Sequence, residues 1–181
     1  MNILNKYVLK NGKELIFIEP GPEYAEMLVE FISNVDEESP FLGREARDVR
    51  LSVKEMYDKL ESKLKAEKET YFLGTIDGEI VVECSVHAIS KRVRFAHRSG
   101  FGIVVKKKYW RNGIGRLAVS ECINLSKNHG YEQLELNTNV GNEAALNLYK
   151  GLGFEICGMT KNAMKYIDGS YSDDYSMVMY F

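Results

Sequence analysis

No run in this chain approaches the roughly 18 consecutive apolar residues that a membrane span requires, so no spanning helix is expected. The opening stretch MNILNKYVLKNGK lacks an apolar core followed by a small-residue cleavage site, which predicts no signal peptide. A dominant charge is missing too. Lys and Arg total 24 against 26 Asp and Glu, for a formal net charge of -2. That balance argues against a nucleic-acid partner and against a membrane surface. Cysteine is scarce: Cys84, Cys122 and Cys157 are an odd set in apolar surroundings without metal-ligand spacing. They read as reduced core thiols of a cytoplasmic protein, and no metal is expected. The triphosphatase loop G-x-x-x-x-G-K-[ST] is also absent. What remains is an ordinary globular composition, 45% hydrophobic over 181 residues, which suits one domain over residues 1–181 with a sizeable core.

The stretch around which the chain is organised is Phe101–Asn128, FGIVVKKKYWRNGIGRLAVSECINLSKN. A short apolar strand passes through a basic, aromatic connection into the turn Arg111-Asn112-Gly113-Ile114-Gly115-Arg116, then into a helix. Ile114, Leu117, Ala118, Cys122 and Leu125 keep helical spacing along that helix. Gly113 and Gly115 remove Cβ atoms that would block close approach to the backbone. The first helical N–H groups lack internal partners and the helix dipole adds positive character there. Strand, glycine turn and helix start together form a phosphate cradle. Arg111, Arg116 and Lys106–Lys108 would add charge for further phosphate. The competing reading is a tight turn with a solvated basic face. The dinucleotide fingerprint G-x-G-x-x-G/A is formally met by Gly113, Gly115 and Ala118, with Glu135 beyond. In that fold, however, the strand runs almost directly into the first glycine, whereas seven residues separate Val105 from Gly113 here.

In chain order, Tyr7–Leu9 and Leu15–Ile18 flank Asn11-Gly12 as a hairpin. Pro22 opens a helix whose expected inner stripe is Tyr24, Met27, Leu28, Phe31 and Ile32. Val35–Arg50 reads as irregular and charged. Ser52 and Glu55 form a capping box for a second helix, with Val53, Met56, Leu60 and Leu64 expected inward. Tyr71–Ile76, Asp77-Gly78 and Glu79–Ile89 make an antiparallel hairpin. Alternation puts Ile80, Val82, Cys84 and Val86 on one face, and Val81, Glu83, Ser85 and His87 on the other. Strand Ser99–Val105 leads to the glycine turn, and Gly130 stops the helix. Strand Gln133–Thr138, helix Asn142–Lys150 and strands Phe154–Met159 and Asp174–Tyr180 complete the chain. This order predicts a mixed α/β fold with helices flanking one mixed sheet, and a parallel, right-handed strand–helix–strand unit around the glycine turn.

The glycine turn, the strand LELNTNV, the run Asn142–Tyr149 and the sequence GLGF together resemble the GNAT superfamily of acetyl-CoA-dependent N-acetyltransferases. The family's Q/R-x-x-G-x-G/A signature has Trp110 at its first position here, with Arg111 beside it. The downstream N-x-x-A-x-x-L-Y-x-x-x-G-F pattern is present in full. The resemblance implies the family's fold, in which the fourth strand, here Ser99–Val105, splays from the fifth, here Gln133–Thr138, and leaves a slot for acetyl-CoA. Pantetheine would run along Ile103, Val104 and Val105, and the pyrophosphate would sit on Arg111, Asn112, Gly113, Ile114, Gly115 and Arg116. A backbone N–H near Val105 would polarise the thioester carbonyl, a preorganised donor of the kind that counts in acyl transfer. Asn142 would bond the pantetheine arm; its plainer reading is the cap of its own helix. Tyr149 would protonate the departing thiolate. Asn137 joins the cofactor contacts, and stands where relatives resembling ribosomal-protein N-terminal acetyltransferases carry Glu. Transfer in this family is direct, so the lack of a Ser-His-Asp or Cys-His signature is expected.

The general base stays open in the sequence. Glu83 is the leading candidate, sharing a strand face with Ser85 and His87, and a purely structural role competes with it. Glu135 is a second carboxylate, and His87 and His97 read as polar strand-edge residues. The acceptor is an amine, either a small molecule or a protein N-terminus or Lys. The segments Val35–Arg50 and Met164–Asp174 would frame it, with Asp36, Glu37, Glu38, Asp173 and Asp174 drawing in a cation. A GNAT-like module that binds acyl-CoA without catalysis is the rival class. Self-association as a homodimer and the use of another acyl group are left open.

Overall fold

The computed structural model describes residues 2–44 and 51–181. Strands β1 (Asn2–Val8) and β2 (Glu14–Glu19) form the N-terminal hairpin, and Gly12 takes the left-handed conformation its turn needs, with φ 80°. A 3-10 turn at Pro22–Tyr24 leads into α1 (Ala25–Asp36), and α2 (Val53–Leu64) follows the loop. Next come β3 (Thr70–Ile76), β4 (Glu79–Ala88) and β5 (Arg98–Val105), then α3 (Ile114–Asn128), β6 (Gln133–Asn139), α4 (Glu143–Lys150), β7 (Glu155–Lys165) and β8 (Tyr171–Tyr180). The strands make one eight-stranded sheet in the order β1-β2-β3-β4-β5-β6-β8-β7. Only the β5–β6 pair is parallel among the described strands. The mixed α/β sheet flanked by helices is the fold the motif order implied.

Two apolar layers hold the helices on the sheet. On one face α1 and α2 bury Leu28, Phe31, Met56 and Leu60 against Ile18, Tyr71, Leu73 and Ile80. On the other, α3 and α4 bury Ile114, Ala118, Cys122, Leu146 and Tyr149 against Phe72, Val82, Cys84, Val86, Phe101, Leu134 and Leu136. β3 is buried along its whole length at the centre. Among the described residues no helix is long and apolar enough to cross a membrane.

Several face assignments differ from the periodic expectation. The buried stripe of α1 is Ala25, Leu28, Phe31 and Val35, while Met27 is exposed. Tyr24 and Ile32 of the expected stripe pack half-buried on the same layer, so only Met27 falls outside its edge. In α2 the capping box forms as expected, with Glu55 N donating to Ser52 Oγ and Ser52 N to Glu55 Oε2. Only Met56 and Leu60 are buried there; Val53 and Leu64, at its two ends, project past the layer they were expected to join. The Asp77-Gly78 turn has two positive φ angles, 51° and 82°, as a two-residue hairpin demands. A register shift between Gly74 and Thr75 then pairs Gly74 with Val82 and Thr75 with Ile80. The skipped residue is Val81, so Ile80 parts from Val82, Cys84 and Val86 and faces α1 and α2. Cys84 and Cys122 are buried, but Cys157 is exposed on edge strand β7, so the reading of three core thiols fails at that position. The hairpin β7–β8 is longer at its tip than expected, and residues 45–50 of the irregular segment lie outside the described residues.

Candidate active site

β5 pairs with β6 at only three positions, Arg98↔Gln133, Ser99↔Leu134 and Gly100↔Glu135. Beyond Gly100 the two strands separate, while β5 stays paired with β4 as far as Val82↔Val105. Phe101–Val105 therefore has one bonded edge and one open edge. The open edge is a ready-made partner for an extended chain carrying amides, because unpaired strand N–H and C=O groups demand bonds. Ile103, Val104 and Val105 are half-buried along this edge.

The cradle follows. Lys107–Tyr109 forms a 3-10 turn, Arg111 adopts φ 61° and Gly113, with φ 81°, caps α3. A left-handed non-glycine residue such as Arg111 stores strain that the surrounding turn must hold. A Cβ on Gly113 would meet nothing within 4 Å, so the space above the first turn of α3 is open. Gly115 serves packing instead: its added Cβ would lie 3.4 Å from Leu148 Cδ2 of α4 and 4.0 Å from Val105 Cγ2. Asn112 and Arg116 are exposed around this space, Ile114 is buried beneath it, and Arg116 Nη2 donates to Gly151 O at 3.0 Å. These residues fit a diphosphate.

The basic run before the turn does not. Lys106 and Lys108 both reach Glu79 at 2.8 Å, and the Tyr109 hydroxyl donates to it at 2.7 Å. Burial pushes the Glu79 carboxyl up, but these three donors outweigh it and hold it down to about 2. The Lys107 N–H donates to Glu38 at 2.6 Å. The expected contribution of Lys106–Lys108 to phosphate charge is therefore corrected for two of the three lysines, which neutralise a carboxylate.

At the point where the slot opens, the ring of Tyr149 on α4 packs edge-on against Phe101 at 5.9 Å and Phe154 at 6.0 Å. Burial, then the nearby thiols of Cys122 and Cys84, raises its phenol well above the usual value. Asn142 caps α4, its Oδ1 accepting from Ala145 N at 3.2 Å, which leaves the amide NH2 as a donor. Asn137 is exposed on β6 and accepts a bond from Ser176 Oγ at 2.8 Å.

Glu83 lies on the α1–α2 face, next to Val104 across β4–β5. The Tyr71 hydroxyl donates to its Oε1 at 2.7 Å, while Oε2 is buried without a hydrogen-bond partner, 3.9 Å from Arg44 Nη2. Arg44 Nε in turn bonds Asp36 at 2.8 Å. Glu135, the other carboxylate considered, is bonded to Arg98, which holds its carboxyl below the usual range, so it makes a poor base. A cleft of about 960 Å³ opens beside Asp36, Glu38 and Arg44 on one wall and Ala163–Asp168 on the other. It lies on the expected acceptor side, apart from the slot. Asp36 and Glu38 are engaged within the protein, and Asp173 Oδ1 accepts from Asn162 N. Asp174 keeps a buried oxygen without a partner, and burial followed by Asp173 raises its carboxyl. Arg44 and Tyr71 were not singled out from the sequence as site residues, and Trp110 stood out only as a departure from the family's phosphate signature. Their partners lie at separations that no local spacing rule addresses, apart from Trp110, whose bond to Val105 crosses one turn.

Known proteins share this fold. A model of the acetyltransferase (GNAT) family matches residues 32–154. The L-amino acid N-acetyltransferase AaaT of Escherichia coli strain K12 is 33% identical over 104 residues, 56% of this chain and 62% of that protein. The match thus spans less than two thirds of that curated relative's length. An acetyltransferase of the GNAT family from Streptococcus pneumoniae has a TM-score of 0.87 and 28% identity, covering 92% of this chain and 99% of that one. A structure from Salmonella typhimurium with its cofactor acetyl-CoA shares the fold, with a TM-score of 0.79 and 13% identity over 92% and 93% of the two chains. With the splayed strands, the glycine-capped helix and a family match over more than half its length, the chain belongs to the GNAT family of acetyltransferases.

Proposed function

We propose that the protein transfers the acetyl group of acetyl-CoA directly to a primary amine. The observation that carries this reading is the β5–β6 splay opening straight into a cradle headed by Gly113. Acetyl-CoA is the acyl-donor substrate and supplies an activated thioester. Ile103 and Val105, on either side of Val104, hold its pantetheine arm in strand fashion, with the Asn142 amide and Asn137 as side-chain contacts. The backbone N–H groups of Arg111–Arg116 take the diphosphate, helped by the dipole of α3.

The acceptor amine attacks the thioester carbonyl, polarised by a backbone N–H on the open edge of β5. The carbon–nitrogen bond forms, the carbon–sulfur bond breaks, and the thiolate leaves beside Tyr149. The proton that nitrogen sheds as the amide forms goes to water, and the sulfur takes up one proton from Tyr149 or water to become the free thiol. Before attack the ammonium must lose a proton. Glu83 is the proposed acceptor of that proton, directly or through one water. In this conformation its open oxygen faces Arg44, so Arg44 must yield Oε2 for the proton to arrive.

The name of the E. coli relative makes the α-amine of an L-amino acid the first acceptor to try. A protein N-terminus, Lys or a small polyamine fits the same chemistry. The test is release of free CoA thiol from acetyl-CoA over L-amino acids, spermidine and an alanine-initiated peptide, with calorimetry on acetyl-CoA and NAD alongside. Release with at least one amine is expected. Tight acetyl-CoA binding with no release from any of them would turn the protein into a non-catalytic acyl-CoA-binding module.

A further inference from the structure

Trp110 is the one tryptophan of the chain and stands between β5 and the glycine turn, 42% exposed. Its indole Nε1–H donates to the carbonyl oxygen of Val105 at 2.6 Å. The direction of that carbonyl follows from backbone alternation. Arg98 O accepts from Ile89 N, and Lys106 N donates to Val81 O, so these even-numbered residues turn their backbone groups toward β4 and its flanks. His97 O accepts from Glu132 N, so the odd-numbered side faces β6. Past Gly100, β6 supplies no pairing, and Phe101, Ile103 and Val105 turn their N–H and C=O groups into the slot.

Val105 is the last of these before the cradle. An uncapped carbonyl there would aim the negative end of its dipole along the path of two phosphates. The indole N–H occupies that oxygen and leaves the Val105 N–H as the group offered to an incoming acceptor atom. The bond also closes the five-residue step from Val105 to Trp110, fixing where the strand ends and where Arg111 takes its left-handed turn.

We infer that Trp110 is a positioning residue of the acetyl-CoA site: its N–H occupies the Val105 carbonyl oxygen, so that Val105, the last residue of β5, offers only its N–H beside the diphosphate. The inference rests on the acetyl-CoA reading above. Trp110→Phe keeps a ring but deletes the donor, and Trp110→His restores an N–H at nearly the same place. Loss of one such hydrogen bond predicts an acetyl-CoA dissociation constant about three- to tenfold higher in Trp110→Phe, measured by calorimetry, with recovery in Trp110→His at pH 8. Far-ultraviolet dichroism should show both variants folded. In the unaltered protein, emission of this single tryptophan should shift as acetyl-CoA saturates the site, a measurement that needs no variant. Wild-type affinity in a folded Trp110→Phe, or emission unmoved at saturation, overturns the inference while leaving the acetyl-CoA reading intact. An unaltered protein that binds no acetyl-CoA at all would overturn both.

Discussion

Tyr149 is a phenol whose proton is hard to remove. Burial and two neighbouring thiols raise its pKa, so the residue stays protonated through the physiological range. The same shift limits its strength as an acid. A CoA thiol should titrate near ~8.5 by analogy with Cys, below any phenol raised above ~10, so complete transfer to the thiolate is uphill. A hydrogen bond strengthening as the carbon–sulfur bond breaks is the more effective contribution. Tyr149→Phe should therefore lower kcat by roughly 10–10³-fold, around and below the lower end of the roughly 10²–10⁴-fold typical of a positioned acid. Acetyl-CoA affinity should move by less than about tenfold, because the interaction belongs to the transition state. Full kcat with lost cofactor binding would make Tyr149 a packing residue. The ring contacts with Phe101 and Phe154 are kept in this variant, which separates the two roles.

Helix α4 is eight residues long, too short to persist without its cap and its packing. Asn142 is the point where structure and chemistry overlap, since Oδ1 caps the helix while the NH2 group is available to a ligand. Two substitutions divide those roles. Asp at Ncap is about as good as Asn, so Asn142→Asp should leave the thermal midpoint nearly unchanged yet lose the amide donor and weaken acetyl-CoA binding. Asn142→Ala should lose both, at a stability cost of about 0.5–2 kcal/mol. Equal acetyl-CoA affinity in Asn142→Asp and wild type would reduce Asn142 to a cap. The β3–β4 hairpin teaches a related lesson at this scale. The shift at Gly74 lets Ile80 serve the α1–α2 layer, and a Cβ there would collide with Val82 Cγ1 at 2.4 Å and Phe17 at 2.8 Å.

Across the whole molecule, Glu79 ties the tip of the β3–β4 hairpin to the turn that precedes the cradle. Its folded carboxyl lies near 2 against an ordinary value of 4.5. A depressed folded value means the ionised form is bound more tightly in the native state. The resulting stability is present above pH 4.5 and is lost as pH falls through the window from 4.5 toward about 2. Glu135 and Glu69, also lowered by cationic partners, act in the same direction. Thermal midpoints should thus fall with acidification across that window, and Glu79→Gln should show a shallower fall than wild type. Identical profiles for the two proteins would remove Glu79 from the acid response. Glu79 is only half-buried, so solvent screening keeps this effect modest and salt-sensitive.

What the sequence determined by itself was everything set by local rules. Glycine at a left-handed cap, the Ser52–Glu55 box, the Asp77-Gly78 turn and the period of each apolar run are properties of a few neighbouring residues. Together they specified the order of elements, the mixed sheet and the family. Two motifs at their proper spacing, the glycine turn and Asn142–Tyr149, pointed to the donor side of the site for the same reason. Tertiary structure decided what depends on distant partners. Met27 and Val53 are apolar and periodic, yet the helix packing left them outside. Lys106 and Lys108 look like phosphate ligands until β4 brings Glu79 against them. Glu83 acquires Tyr71 and Arg44 only when β3 and the loop after α1 fold over it. Charge and exposure at a site are sums over every element that packs there, and a chain read in one dimension contains the terms but not their distances.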